Sequence, residues 1–207
     1  QSYPTKPVRL IAPYPPGGSI DIVARLVGQR LTEAFGQQFV IENRAGASGN
    51  IGTDYVAKAA PDGYTLLLSG APPLAANIYL FAKLPFDPVR DFAPIMRIAN
   101  QPNVLVLHPS VPARNVKELI ALAKSRPGKL NFGSGGVGAS QHISAELFMM
   151  MTGVKMVHVV YKGGGPAMIE LVGGQIDLMI ETAPSAIPYV NSGKLKALGV
   201  TTLQRLA

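Results

Sequence analysis

The sequence predicts an α/β fold of parallel-rich sheets flanked by helices and divided into two lobes, and three observations predict it. Short apolar runs of strand length alternate with segments of helical period along nearly the whole chain, as strand-helix-strand units do. Glycine-rich turns stand between strand and helix, at Pro15-Pro16-Gly17-Gly18 and again across Gly133 to Gly138. One segment, Lys83 to Pro102, breaks the alternation with Pro85, Pro88, Pro94 and Pro102 and reads as a crossing between lobes. The division expected is 1–101 for a first lobe and 102–207 for a second.

In chain order, Val8 to Tyr14 is an apolar run, and after the first glycine turn Ser19 is a suitable N-cap, with Asp21 where the helix dipole favours an anion. Ile20, Val23, Val27, Leu31 and Ala34 then recur at spacings of three and four, and Gly36 stands where a left-handed C-cap belongs. Phe39 to Glu42 is the next strand, followed by a second glycine-rich turn, Asn43 to Gly49, and a helix carrying Ile51, Tyr55 and Ala59 on one face. Pro61-Asp62-Gly63 turns the chain into strand Tyr64 to Leu68. Beyond the proline-rich crossing, Val104 to Leu107 is a strand, and Asn115 with Glu118 three positions on is an Asx variant of the capping box. Strands Leu130 to Phe132, Val157 to Val160, Ile176 to Ile180 and Leu195 to Val200 then alternate with helices Ser140 to Thr152, Pro166 to Val172 and Pro184 to Val190, a pattern of parallel sheets with right-handed crossovers.

Composition narrows the function. The 207 residues are enough to bury roughly 70% of the unfolded surface, so no structural metal or disulfide is required. With no cysteine, thiolate catalysis, cysteine-based zinc sites and disulfides are all excluded. Nineteen Lys and Arg against twelve Asp and Glu give a net charge of +7. The basic residues are scattered singly without interleaved aromatics, which argues against a nucleic-acid surface and for solubility or the attraction of small anions. No apolar run approaches the ~20 residues of a membrane span. A start at Gln1 fits an exported chain whose signal peptide has been cleaved, and fits a trimmed chain equally.

The richest stretch is Phe132 to His142, FGSGGVGASQH, a strand, a glycine turn and a helix start. Glycines let backbone N–H groups turn inward, and the helix beyond adds unpaired N–H groups and a positive dipole end, so a carboxylate or phosphate is stabilised there. Gly133, Gly135 and Gly138 also satisfy GxGxxG, but a dinucleotide site wants an acidic residue about 20 positions on. Met156 to Lys162 offers none, leaving Lys155 or Lys162 to meet a 2′-phosphate if the turn served an NAD(P)-dependent enzyme. The plainest alternative is a turn whose glycines serve packing alone. Because open parallel sheets bind ligands beyond the carboxyl ends of their strands, the candidate loops are Tyr14 to Ser19, Ser69 to Pro73, Gly133 to Ser140, Tyr161 to Gly165 and Glu181 to Pro184.

Tyr14 to Asp21 (YPPGGSID), Val40 to Gly52 (VIENRAGASGNIG), Pro61 to Leu67 (PDGYTLL), Phe86 to Ile95 (FDPVRDFAPI) and Gly193 to Thr201 (GKLKALGVT) resemble segments of the substrate-binding receptors of tripartite tricarboxylate transporters, the Bug or TctC-like family. Between Phe132 and Asp177, GSGGVGASQH, TGVKMVHVVYKGGGPA and LVGGQID follow in that family's order. The resemblance implies a two-lobed fold of the type II periplasmic-binding-protein kind, in the periplasm. It implies a receptor that closes on a small carboxylate (a di- or tricarboxylate, an amino-acid-like or an aromatic acid), delivers it to membrane permease subunits, and performs no chemistry, with no cofactor or metal. By position, Tyr14, Gly17, Gly18 and Ser19 would form a first-lobe clasp, with Ser69 and Gly70 in the neighbouring candidate loop. Ser134, Gly138, Ala139 and Ser140 would form the second, with Tyr161, Lys162 and Gly163 beside it. Glu181 and Thr182 occupy a loop where members often carry Asp-Asn.

Two departures bear on specificity and completeness. Where many members carry Gly, Thr and His donors, this chain has Ala71-Pro72-Pro73-Leu74, which suits a less polar ligand. Members also return to the first lobe after the strand matching Leu195 to Val200, so a stop at Ala207 implies an incomplete first lobe with an exposed apolar edge, prone to self-association. Two glycine clasps with only one cation, Lys162, predict that N–H groups rather than a salt bridge hold the anion. The remaining polar residues have plainer readings. Asp21 is a dipole partner, Glu181 divides evenly between a specificity residue and a surface charge, and Met149 to Met151 is helix packing. His108, His142 and His158 have no metal-ligand spacing and read as caps or core residues, and no serine sits in GxSxG. A non-transport sensory or interaction domain on the same fold is the third functional class.

Overall fold

The structure, a computed structural model, describes residues 3–205, so the expectations attached to Gln1 and Ala207 lie outside the described residues. The chain forms two compact units, one running to Met96 and the other starting at Arg97.

The first unit is built on three parallel strands, β1 (Val8–Ala12), β2 (Phe39–Asn43) and β3 (Thr65–Leu67), in the order β2-β1-β3. Parallel neighbours need a crossover. Helix α1 (Ser19–Phe35) supplies it between β1 and β2, and α2 (Asn50–Ala57) between β2 and β3. Gly36 closes α1 in the left-handed conformation, donating its N–H to Thr32 O. Leu10, Ala12, Ala24 and Leu68 form the buried centre, and a short helix, α3 (Asn77–Leu80), completes the unit. Ser19 is not the N-cap: Gly18 holds that position in extended conformation and Ser19 is the first helical residue.

The second unit runs β4 (Asn103–Leu107), α4 (Val116–Ser125), β5 (Asn131–Ser134), α5 (Ser140–Thr152), β6 (Val157–Val160), α6 (Gly164–Val172), β7 (Leu178–Thr182), α7 (Ala183–Asn191) and β8 (Lys196–Val200). Its sheet has the order β6-β5-β7-β4-β8. β5 is parallel to β6 and to β7, whereas β4 is antiparallel to both β7 and β8, so within the expected parallel-rich sheet β4 is the strand that runs the other way. Local periodicity identifies a strand but carries no information on its partner, and the partners of β4 lie far along the chain. The consequence is positional. Asn103, the first residue of β4, pairs with Thr182, the last of β7, so the amino end of β4 joins the carboxyl ends of β5, β6 and β7 along one edge.

Both faces of this sheet are covered, which is why NVLVL is buried at every position. Alternate residues separate onto opposite faces. Leu105 and Leu107 join Phe132, Leu119 and Ala145 in one core, and Val104 and Val106 join Met168, Leu171 and Ala186 in the other. The Asx box at α4 forms: Asn115 accepts the Glu118 N–H at 2.9 Å, while Glu118 reaches back to accept the Arg114 N–H at 2.8 Å. The methionine run does not pack as a unit. Met149 packs against the first core while Met150 and Met151 are exposed, because consecutive helical residues point about 100° apart.

Candidate functional site

The second unit's candidate residues gather on the edge just defined, at the ends of β5, β6 and β7. Two glycine-rich turns meet there backbone to backbone. A Cβ on Gly135 would stand 2.6 Å from Gly164 N and 2.8 Å from Gly163 C, so the turn after β5 and the start of α6 approach more closely than any side chain allows. Gly138 has φ +82° and leads into the N-cap, Ala139. The turn is fixed by its own bonds: Gly136 N–H donates to Ser134 Oγ at 3.2 Å, Ala139 N–H to Gly136 O at 3.1 Å, and Gly138 N–H to His142 Nδ1 at 3.2 Å.

These bonds divide the predicted clasp into supporting and presented groups. Ser134 is fully buried and its hydroxyl lies 2.6 Å from His158 Nε2, so it holds the turn from beneath. The Gly138 N–H is likewise engaged. Ser140 is exposed at the first position of α5, and no side chain caps that helix. Tyr161 is half-buried and gives its N–H to Ser134 O, Lys162 is exposed, and Gly163 is the buried N-cap of α6. Among the described residues no carboxylate pairs with Lys162.

Beneath the turn three rings stack in a column. His158 lies flat on Phe132, with centroids 4.7 Å apart and planes 3° apart, and His142 lies on the other face of His158 at 4.3 Å and 17°. Burial, reinforced by the neighbouring His142, pushes the His158 imidazole down to about 4. Glu146 Oε1, one helical turn on, lies 3.5 Å from His142 Nε2.

Glu181 is not a surface charge: it is wholly buried at the end of β7. Its Oε1 accepts the Thr182 N–H at 2.8 Å, the Thr182 hydroxyl at 2.7 Å and Gln141 Nε2 at 3.0 Å. Burial raises its pKa, and these hydrogen bonds only partly oppose that. A Cβ on Gly164 would stand 3.1 Å from Glu181 Oε2 and from Gln141 Nε2, so a side chain at the α6 start would press on the carboxyl and its amide partner. Thr182 is the N-cap of α7, and Ala183 N–H is met by Pro102 O at 2.9 Å.

In the first unit, Tyr14, Gly17, Gly18 and Ser19 follow β1, and Ser69 and Gly70 follow the adjacent parallel β3. The Gly17 N–H is occupied by Asp21 Oδ2 at 3.0 Å. Arg25 pairs with both oxygens of Asp21, and Asn43 Nδ2 donates to its Oδ1 and to Tyr14 O, each at 3.0 Å. Burial works against ionisation of Asp21, yet the bonds from Arg25, Gly17 and Asn43 together hold its carboxyl below the usual range. Asp21 is thus a lock on the turn, in keeping with its role as a dipole partner. Ser69 Oγ is buried with no hydrogen-bond partner, and a Cβ on Gly70 would meet Ile20 and Pro72 at 3.6 Å, an ordinary contact distance. Burial raises the Tyr14 phenol well above its usual range, and its hydroxyl lies against Ser48 O at 3.5 Å.

Several residues at these edges were not among the sequence candidates. Ala47 and Ser48 adopt positive φ, 46° and 53°, at the end of β2, and Asn77 ties that turn to α2 by bonds from Nδ2 to Ser48 O and Asn50 Oδ1. The glycine-rich NRAGASG stretch was the available signal. Asn103 reaches across to Ser144 Oγ at 2.9 Å, and Ser185 Oγ is buried without a partner. Gln141 had no signal, since its partner Glu181 lies far away in sequence.

Comparison with known proteins finds relatives of the same fold. Protein BugT of Bordetella pertussis is 40% identical over 205 residues, which cover 99% of this chain and 63% of BugT, so the chain spans less than two thirds of that relative. Among solved structures, R. palustris Rpa4515 with adipate is 41% identical with a TM-score of 0.97, matching 99% of this chain and 68% of that one. MatC (Rpa3494) from Rhodopseudomonas palustris with bound malate is 32% identical with a TM-score of 0.90, matching 98% of this chain and 69% of that one. The family model described as the tripartite tricarboxylate transporter family receptor, TctC, matches residues 23–207, a span that runs from within α1 through every element of the second unit, and this chain belongs to that family.

Proposed function

We propose that this chain is the ligand-binding portion of a periplasmic receptor that captures a small dicarboxylate on main-chain N–H groups and delivers it, chemically unchanged, to membrane permease subunits. The observation that carries this reading is the start of α5. A turn locked by its own hydrogen bonds presents a helix N-terminus that no side chain caps, with the exposed Ser140 hydroxyl as a further donor. The candidate ligand contacts are, in the second unit, Ala139, Ser140, Tyr161, Lys162, Gly163 and Thr182 and, in the first unit taken by itself, Tyr14, Gly18, Ser19, Ser69 and Gly70. Gly17, Ser134, Gly138 and Glu181 support them. The adipate and malate of the two similar structures favour a dicarboxylate, and Ala71-Pro72-Pro73, poor in donors, favours the less polar adipate.

Calorimetric titration of the full-length receptor with adipate and with malate tests this. Adipate is expected to bind more tightly. A charge-assisted hydrogen bond contributes about 1.5 to 3 kcal/mol, so Ser140→Ala is expected to weaken binding roughly tenfold to a hundredfold, and Lys162→Ala by less. A dominant loss at Lys162 with none at Ser140 would overturn the backbone-held anion, and nucleotide absorbance in the purified protein would favour a cofactor enzyme instead.

A further inference from the structure

We propose that His142 and His158 are positioning residues: a stacked imidazole pair that sets the Ser134 to Gly138 turn in its anion-binding shape and lets it go when protonated. The inference rests on the receptor reading for the purpose of the turn, and on geometry alone for the control of its shape. His158 meets the turn at its beginning, through Ser134 Oγ, and His142 meets it at its end, through Gly138 N–H. The two rings lie on each other, so one rigid column of Phe132, His158 and His142 holds both ends of the turn.

The two contacts differ in what they demand. Ser134 Oγ can donate or accept, so His158 keeps its partner in either tautomer. A backbone N–H only donates, so His142 Nδ1 must be bare. A proton on Nδ1 sets donor against donor and ends that bond, leaving Gly138, at φ +82°, without the contact that fixes it. A charge on either ring also faces the other ring 4.3 Å away. Among the described residues the titratable groups facing the pair are each other and Glu146 on α5, 3.5 Å from His142 Nε2; β5 presents the uncharged Phe132 and Ser134, and the partial burial of His158 opposes its charging. Protonation of His142 at Nδ1 therefore loosens the turn, and with it the ligand.

The test uses the full-length receptor and two substitutions. Asparagine places its Oδ1 near the position of Nδ1 and does not titrate, so His142→Asn keeps the acceptor, whereas His142→Phe keeps the stack and loses it. The Gly138 amide resonance is expected to move between pH 7.5 and 4.5 together with the histidine ring signals in the parent, and to stop following pH in His142→Asn. Adipate affinity at pH 7.5 is expected to fall about three- to tenfold in His142→Phe, the worth of one hydrogen bond, and to hold in His142→Asn, whose affinity should also be flat with pH. A Gly138 amide that ignores both pH and the substitutions would overturn the proposal, as would superimposable pH profiles of affinity in the parent and His142→Asn. If the parent fails to bind adipate, the receptor reading loses support, while the amide titration still decides the role of the pair. Should His142→Phe fail to fold, the parent and His142→Asn suffice.

Discussion

The turn before α1 and the turn before α5 are locked in the same way by different chemistry. In each, a glycine just ahead of the N-cap donates its N–H to the side chain at the third helical position: Gly17 to Asp21 in the first unit, Gly138 to His142 in the second. The first lock is a carboxylate pinned by Arg25 and Asn43, the second an imidazole stacked on another imidazole. The first unit therefore has a turn that keeps its shape across the physiological pH range, and the second a turn whose acceptor is itself a base. A shared backbone design carries two different sensitivities.

The largest effect that separates the turns is steric. Gly135→Ala drives a methyl group into the Gly163-Gly164 backbone, and is expected to cost about 3 kcal/mol of stability in chemical denaturation. Gly17→Ala meets nothing within 4 Å and is opposed only by φ +83°, so about 1 kcal/mol is expected. Equal losses would show that the close packing of the second unit's turns has no energetic meaning. Next in size is the first lock. Asp21→Ala strips partners from Gly17 N–H and Asn43 Nδ2 and is expected to cost about 2 kcal/mol, with Gly17 exchanging its amide proton faster. An unchanged exchange rate would remove Asp21 from that role.

The smallest effects are those of pH, and their signs differ. His158 is depressed from 6.5 to about 4, so the unfolded chain takes up its proton first, and stability present above pH 6.5 is lost as pH falls toward 4. Asp21 lies below its ordinary value of 3.8, so its contribution is intact throughout that window and is lost only in stronger acid. Glu181 is raised above 4.5, so the folded chain takes up its proton first, and stability rises as pH falls through its folded value toward 4.5. The Glu181 and His158 slopes oppose each other in the second unit. Glu181→Gln is expected to unmask the His158 decline, read as a steeper fall of the second unit's amide protection between pH 6.5 and 4.5. A shallower fall would mean that Glu181 is ionised throughout.

What the sequence made legible was whatever is local. Helix α5 starts and ends where its pattern does, at Ser140 and Thr152, and β6 spans Val157 to Val160 as its apolar run does, because glycine turns and side-chain period act over a few residues. The family followed from ordered short motifs for the same reason. The locks were illegible because their partners are distant. Ser134 reads as a ligand donor in the sequence, whereas its hydroxyl meets His158, and Glu181 reads equally as a surface charge, whereas Gln141 closes over it. The direction of β4 belongs to the same class, since both strands that pair with it arrive late in the chain.

That placement of β4 sets the order in which the second unit can assemble during synthesis. Its five residues are buried at every position and hydrogen-bond to β7 and β8, yet roughly 70 residues of chain must follow Leu107 before Leu178 arrives. In the interval β5, α5 and β6 can pair locally while an apolar strand of Val104 to Leu107 waits with both edges bare. Closure of the sheet is therefore a late, long-range event, and the edge that gathers Asn103, Thr182 and the end of β5 comes into being only when the nascent chain has passed β7.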